Sequence, residues 1–365
     1  MSSITIRLAE DTDSTKIQEL AHKCPQQGMI SFIVHRTPQF NSLHRLLDPG
    51  AWHYVACKED QIIGLIGVMH FQGNVLGKEH KIGYMLDLRL LEEYRNGITA
   101  FRLVKTAIDK LIQSDADMVI VNFLKENKRP MVFTSGRGGL PSSHYLGENT
   151  IFSLIPLYKM RLDKRFEIGV PTESDIPELI ELYNNYAKGF KIAPVFTEER
   201  FKRNISTIKG LDLKNFLVAR ENGKIKAVTA LWDEHPYKNY QILKLNFTIR
   251  TVSCILRFLK YFIKVPNPIR INKPLKQLSL VQFAHDSCPE ALGTLFRKVN
   301  NNLLGSEYTL ITLYSQTKDP VFELLKKFKY VSAKSEMYLF AKDTSAFEGL
   351  GKSSLPVMFD LLKVQ

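Results

Sequence analysis

Cysteine is scarce in this 365-residue chain: Cys24, Cys57, Cys254 and Cys288 stand far apart and form no CxxC pair. That spacing excludes a disulfide-stapled scaffold and a structural zinc site, and it points to a reducing compartment, the cytoplasm. Long apolar runs are missing as well. Residues 1–23 hold none of signal-peptide type. The most apolar stretch, 247–265, is broken by Arg250, Arg257, Lys260 and Lys264, so no ordinary membrane-spanning helix is expected. There is no arginine-rich arm and no zinc-finger or helix-turn-helix spacing, hence no clear nucleic-acid motif. What is present is a globular mixture, 44% hydrophobic and 24% charged, long enough for two domains or one large one. The net charge of +13 fits an anionic partner, whether nucleic acid or small phosphates, and equally a generally basic proteome.

An internal repeat organises the chain. Ile4-Thr5-Ile6-Arg7 begins a strand, Asp11 to Ser14 offers a helix cap, and Ile17, Leu20 and Ala21 recur at helical spacing. The phrase returns at Phe166-Glu167-Ile168, with a cap over 172–175 and Ile176, Leu179, Ile180 and Tyr183 as the helical face. Segment 55–62 matches 218–225, each a hairpin, and Met118-Val119-Ile120-Val121 matches Leu310-Ile311-Thr312-Leu313 as buried-type strands. Three matches in one order predict two α/β halves with mixed α+β sheets, 1–163 and 164–345, joined by the charged stretch 159–164 and followed by a tail, 346–365. The expected order in each half is strand, helix, hairpin, strand, long helix, strand, helix and terminal strands. Such a pattern places ligands at strand C-terminal ends.

The segment with most chemistry runs from Met85 to Val104. A strand ends near Leu91, a turn follows at Arg95 to Thr99, and Ala100, Leu103, Val104, Ala107 and Leu111 mark the inner face of a helix. An Arg-x-Gly turn opening a helix presents backbone N–H groups and the positive end of the helix dipole, which suits a pyrophosphate; an ordinary glycine turn reads the same way.

These residues resemble the cofactor motif of the GCN5-related N-acetyltransferase (GNAT) superfamily, Arg/Gln-x-x-Gly-x-Gly/Ala after a strand. Arg95, Ile98 and Ala100 take the motif positions, with Leu88 and Leu90 on the strand; Ile98 stands where the family has its middle glycine, and Gly97 lies one place early. The resemblance implies two tandem GNAT-like acyl-CoA N-acyltransferase folds, an arrangement similar to plant hookless-like proteins. It implies acetyl-CoA as co-substrate, held at Leu88, Leu90, Arg95, Asn96, Gly97, Ile98, Thr99, Ala100 and Asn127. It further implies a short helix over 128–134, where Thr134 replaces the family's usual thiolate-protonating tyrosine, so Tyr145, after the glycine run 136–139, becomes the nearest replacement. The acceptor would be a small-molecule or peptide amine attacking the thioester directly. Asp87 is the one carboxylate on the central strand before the turn: a base if it faces the cleft, a buried pair or cap if it faces away.

The second half departs further. Its corresponding turn, 284–293, has no arginine, and Asp286 or Ser287 is expected to cap a helix starting near Pro289. His285, Asp286 and Cys288 also admit reading as a nucleophile cluster, without an orienting partner. An insertion, 246–274, reads as a basic amphipathic helix that packs on its own domain, lies on an anionic membrane or binds a partner groove. Three functions therefore stand: an acetyl-CoA-dependent N-acetyltransferase, a non-catalytic acyl-CoA sensor, and an interaction protein binding an anionic surface.

Overall fold

The computed structural model describes residues 3–358 apart from 96, 128, 317, 342 and 344, with the backbone alone at 346 and 347. The first half runs β1 (Ile4–Leu8), α1 (Ser14–Lys23), β2 (Ile30–Arg36), α2 (Ser42–Leu47), β3 (Trp52–Lys58), β4 (Gln61–Val75), β5 (Lys78–Leu90), α3 (Thr99–Gln113), β6 (Met118–Leu124) and β7 (Ser143–Leu154). The second runs β8 (Glu167–Gly169), α4 (Ile176–Ala187), β9 (Ile192–Pro194), α5 (Glu198–Thr207), β10 (Phe216–Glu221), β11 (Lys224–Trp232), β12 (Lys238–Leu245) and α6 (Phe247–Leu259). It closes with β13 (Pro274–Leu275), β14 (Gln277–His285), α7 (Pro289–Asn302), β15 (Leu310–Gln316), α8 (Val321–Leu325), β16 (Tyr330–Ala341) and α9 (Ala346–Lys352).

The repeated phrases fold alike. Before α1, Glu10 and Asp13 form a reciprocal capping box; before α4, Thr172 and Asp175 form another. The buried faces are the periodic ones, Ile17, Leu20 and Ala21 on α1 and Ile176, Leu179, Leu182 and Tyr183 on α4. Both expected hairpins are present, β3–β4 and β10–β11. Each fully buried aliphatic side chain contributes roughly 1.5–3 kcal/mol, so these faces outweigh helix propensity in fixing the elements.

Among the described residues one thirteen-stranded mixed sheet runs β1-β3-β4-β5-β6-β16-β7-β15-β14-β11-β10-β8, with β9 beside the end of β4. The sequence pattern led us to expect terminal strands within each half. Instead the halves trade them: β16 lies between β6 and β7, and β7 lies between β16 and β15. The alternation inside β7 and β16 carries no record of which half they complete. A smaller sheet also crosses the halves, with β2 paired to β12 and β12 to β13. A core spanning both halves follows, with Leu43, Met69 and Tyr84 in the same apolar cluster as Phe216, Trp232 and Phe296.

Two parallel contacts interrupt the antiparallel sheet, β5 with β6 and β14 with β15. Each is short. Pairing covers Ile82–Met85 in the first and Gln277–Ser279 in the second, and beyond it the strands part into a wedge. A bulge lies just past each parting point, where Asp87 (φ 56°) and Gln282 (φ 47°) take left-handed backbone and the register with the neighbouring strand shifts.

Candidate functional site

The first wedge opens toward the N-terminus of α3. β5 ends at Leu90, a single 3-10 turn spans Glu92–Tyr94, and α3 starts at Thr99 with Ile98 as its cap residue. No side chain caps this end and its first turn holds no acidic residue, so the positive pole of a fifteen-residue helix faces outward. Gly97 and Ile98 are exposed, Ile98 by 72%, while Thr99 and Ala100 are buried against the core. Arg95 folds back: its Nε donates to the Leu90 carbonyl at 2.8 Å, and the side chain reaches Cys24 Sγ at 3.8 Å, so it braces the turn against the strand end. Leu90 is buried and Leu88 half-buried. Asn96 lies outside the described residues.

The glycine run packs on this helix end. A Cβ on Gly138 (φ +67°) would meet Phe101 Cδ1 at 2.6 Å, so only glycine lets the loop lie flat on the first turn of α3. Phe101 and Phe133 meet edge-to-face at 4.9 Å beneath it. The expected short helix is a 3-10 segment, Arg129–Ser135, in which the Thr134 hydroxyl donates to Met131 O; residue 128 lies outside the described residues. Asn127 is exposed at the end of β6, where its N–H closes a turn on Leu124 O. Tyr145, 47% exposed, stands on β7 with its ring 5.4 Å from that of Tyr338. Burial and the nearby Glu336 and Glu148 carboxylates push its hydroxyl up.

Asp87 takes the second branch of the expectation, the buried pair. Both its oxygens accept from Arg36, Oδ1 at 2.8 Å, and Arg89 lies 3.8 Å away; Asp87 and Arg36 side chains are 1% and 5% exposed. His53 Nε2 and His44 Nε2 approach Asp87 Oδ2 at 3.7 and 4.0 Å. Burial works against the Asp87 charge, yet the Arg36 guanidinium and the His53 contact hold the carboxyl well below the usual carboxylate range. Burial, with the Arg36 charge beside it, holds His44 neutral, and burial lowers His53 as well. The three groups have metal-ligand spacing, but Arg36 already fills the place a cation would take. A carboxylate held this firmly is a poor proton acceptor.

A cavity of about 160 Å³ lies between the halves. Its lining includes Gln26 to Ile30 and Glu126, of which Gln27, Gly28 and Glu126 are exposed and mark a rim, together with Leu124, Ile151, Ser153 and Tyr240 and the polar set Glu234, Gln277, Thr312 and Tyr314. Glu234 is 1% exposed, accepts from Gln277 Nε2 at 2.9 Å and Ser279 Oγ at 3.1 Å, and faces Lys238 Nζ at 3.7 Å. Burial pulls the Lys238 amine down to about 8 despite the carboxylate beside it. The neighbouring Asp233 accepts from His235 and from the Tyr308 hydroxyl at 2.9 Å. Neither Glu234 nor Arg36 carries a sequence signal, because the partners of each are distant in the chain: Arg36 meets Asp87, and Glu234 meets Gln277 and Ser279.

In the second half the wedge is occupied. The Tyr186 hydroxyl donates to Asp319 at 3.2 Å, and the segment after α9 lies alongside, with the Val357 N–H donating to Gln316 Oε1 at 2.7 Å and the Met358 N–H to Ile192 O. At the start of α7 the cap residue is Cys288, with no side-chain cap bond, and not Asp286 or Ser287: Asp286 pairs with Lys226 at 2.9 Å, and Ser287 takes φ 44°. His285 packs on the Tyr186 ring, so His285, Asp286 and Cys288 point to different partners and form no nucleophile cluster. No helix among the described residues is long and apolar enough to cross a membrane.

Known structures share this architecture. The chain superposes on Saccharomyces cerevisiae N-myristoyltransferase with bound myristoyl-CoA at TM-score 0.63 and 14% identity, over 93% of this chain and 79% of that one. The fold is that of the GNAT superfamily. A GCN5-related glucosamine N-acetyltransferase region of a fungal GH3 beta-N-acetylglucosaminidase gives TM-score 0.61 and 11% identity, over 93% and 38% of the two chains. A GCN5-related N-acetyltransferase from Anabaena variabilis gives 0.53 and 10%, over 94% and 74%. The architecture is thus two tandem GNAT-like folds. No protein-family model and no curated protein sequence matches the chain.

Proposed function

We propose that the chain is an acyl-CoA-dependent N-acyltransferase with acetyl-CoA as donor and an amine as acceptor. The observation that carries this reading is the uncapped, acid-free N-terminus of α3 at the mouth of the first wedge, in a chain that also holds a cavity between its halves. The neighbouring fold supports it, since the similar yeast protein was solved with bound myristoyl-CoA. In our reading the backbone N–H groups of residues 96–100 hold the pyrophosphate, Arg95 stiffens the turn, Leu88 and Leu90 line the pantetheine arm, and Asn127 meets its outer edge. Acetyl is the proposed acyl group because a cavity of about 160 Å³ shared with the amine leaves little room for a long chain. We divide the chain as 1–163, 164–345 and a tail from 346, a tandem arrangement similar to plant hookless-like proteins. The free thiols fit a cytoplasmic location.

The amine enters the shared cavity, and Glu234 is the group we assign to orient and deprotonate it; Asp87, locked in its ion pair, shapes the bulge instead. Tyr145 is the proposed proton donor to the departing thiolate. The test is release of free CoA from acetyl-CoA and from myristoyl-CoA across an amine panel, with calorimetry of each donor. Glu234→Gln is expected to keep donor binding and lose about a hundredfold in CoA release, and Tyr145→Phe to slow it. Donor binding without release from any amine favours the acyl-CoA sensor. Release from myristoyl-CoA alone overturns acetyl as the donor, and absence of binding by either donor overturns the whole reading.

A further inference from the structure

We propose that the outer face of α6 and the turn after it dock on an anionic lipid bilayer. This does not rest on the acyltransferase reading. The helix is held by one side only: Ile249, Ser253 and Leu256 are buried, and Asn246 caps its start by accepting from Ile249 N at 2.9 Å. At 3.6 residues per turn, Phe247, Ile255 and Phe258 fall on the opposite side, and Tyr261 and Phe262 follow in the turn. Those five are apolar bodies left in water: Phe247 is 85% exposed, Phe258 64%, Tyr261 83% and Phe262 71%. Scattered single apolar residues are ordinary on a surface, but five large ones on one side of a helix and its following turn, with the Phe258 and Phe262 rings 5.2 Å apart, make an interaction face.

Charge selects the occupant. From residue 246 to 276 the chain has seven basic residues, Arg250, Arg257, Lys260, Lys264, Arg270, Lys273 and Lys276, and no acidic one. Among the described residues only Lys276 of these is ion-paired, to Glu307 at 2.7 Å. Arg250 and Arg257 flank the aromatic row within the helix. Aromatic rings that seat at the headgroup level, with cations beside them to meet anionic headgroups, are what an interfacial helix requires. A nucleic-acid duplex would use the cations and leave the aliphatic and aromatic row in water. The face also has a position: the Asn246 N–H donates to Met29 O at 2.9 Å, and Met29 lines the shared cavity beside its rim. Docking through α6 therefore brings that rim toward the bilayer.

The experiment is co-sedimentation of the full chain with vesicles of phosphatidylcholine alone and of phosphatidylcholine with phosphatidylserine. The wild type is expected to pellet with the phosphatidylserine vesicles, less so as salt rises, and to stay in solution with phosphatidylcholine alone. Phe258→Glu with Phe262→Glu, and separately Arg250→Glu with Arg257→Glu, should each lower the bound fraction by about tenfold or more. These side chains are exposed, so both variants should melt with the wild type, which is measured alongside. Failure to pellet with phosphatidylserine, equal pelleting with both vesicles, or a phenylalanine variant that binds like the wild type overturns the proposal. So does binding to a double-stranded oligonucleotide that is lost in the arginine variant, where no vesicle binding occurs.

Discussion

Asp87 and Gln282 occupy matching places in the two halves. Each follows the last residue of a short parallel contact, each has positive φ, and each marks a register shift against the preceding strand. The surroundings differ. Around Asp87 stand Arg36, Arg89, His44 and His53, and the wedge beyond leads to an uncapped helix end. Behind Gln282 the Tyr183 hydroxyl donates to the backbone carbonyl, and the wedge is filled by Tyr186, Asp319 and the chain near Val357. Duplicated backbone geometry thus persists where the chemistry around it has diverged: one bulge is held by charge beside an opening, the other by packing beside a plug.

The largest expected effect tests that contrast directly. Asp87→Asn leaves Arg36 buried without its counter-charge, and breaking a buried ion pair costs about 3–5 kcal/mol. Gln282→Met keeps side-chain length and removes no charge, so it is expected to cost less than half as much. Denaturant unfolding of both variants measures the difference. Equal losses would mean that the ion cluster does not support the first bulge, and the comparison would fail.

A smaller effect separates the two wedges by pH. Asp319 lies in the filled wedge, where burial raises its carboxyl to about 6 although the Val321 N–H and the Tyr186 hydroxyl pull the other way. An unfolded aspartate titrates near ~3.9. Between these values the folded chain holds a proton that the unfolded chain has released, so stability from this group is full below about pH 4 and falls as pH rises toward 6. Asp319→Asn keeps an oxygen for both donors and removes the titration. The variant should gain on the wild type by up to about 2–3 kcal/mol from pH 4 to 6, with no further gain above. Asp87 has the opposite sign: its stabilising charge is present at neutral pH and is lost only in strong acid. Melting temperatures across this range test the assignment, and a constant gap between variant and wild type would remove it.

Much of this fold is legible in the sequence, and the reason is locality. Both capping boxes, both hairpins and the faces of α1, α3 and α4 follow from residues within one or two turns of each other. The pairings that build the site join distant residues. Arg36 meets Asp87 across half a domain, and Glu234 accepts from Gln277 and Ser279 on β14. Nothing in a window of twenty residues encodes such contacts. The exchange of β7 and β16 is hidden for the same reason, since a strand's alternation states which face is buried and not which partner buries it. Asp87 is visible as a carboxylate on the right strand; its surroundings are set by Arg36, from a strand that the repeated phrases do not include.

The smallest effect compares the two helix starts. α3 begins at Ile98 with no capping side chain and no acid in its first turn. α7 begins with Pro289, which removes one N–H donor, and places Glu290 in the same turn. An anion is favoured at the first and opposed at the second. Ile98→Glu brings a carboxylate to the start of α3, at the cap position, where α7 carries one in its first turn. Ile98 is exposed, so folding should be unaffected, while a carboxylate beside the proposed pyrophosphate site should weaken binding of acetyl-CoA, the proposed donor, about tenfold, or 1.4 kcal/mol. Ile98→Gly removes the side chain at this turn, lets the backbone approach a ligand closer and should tighten binding. Glu290→Gln should leave the chain with one binding site, because Pro289 still withholds its donor and the second wedge is still filled. Calorimetry reads affinity and stoichiometry together. Unchanged affinity in Ile98→Glu would move the pyrophosphate away from α3, and a second site appearing in Glu290→Gln would show that charge alone had closed the other half.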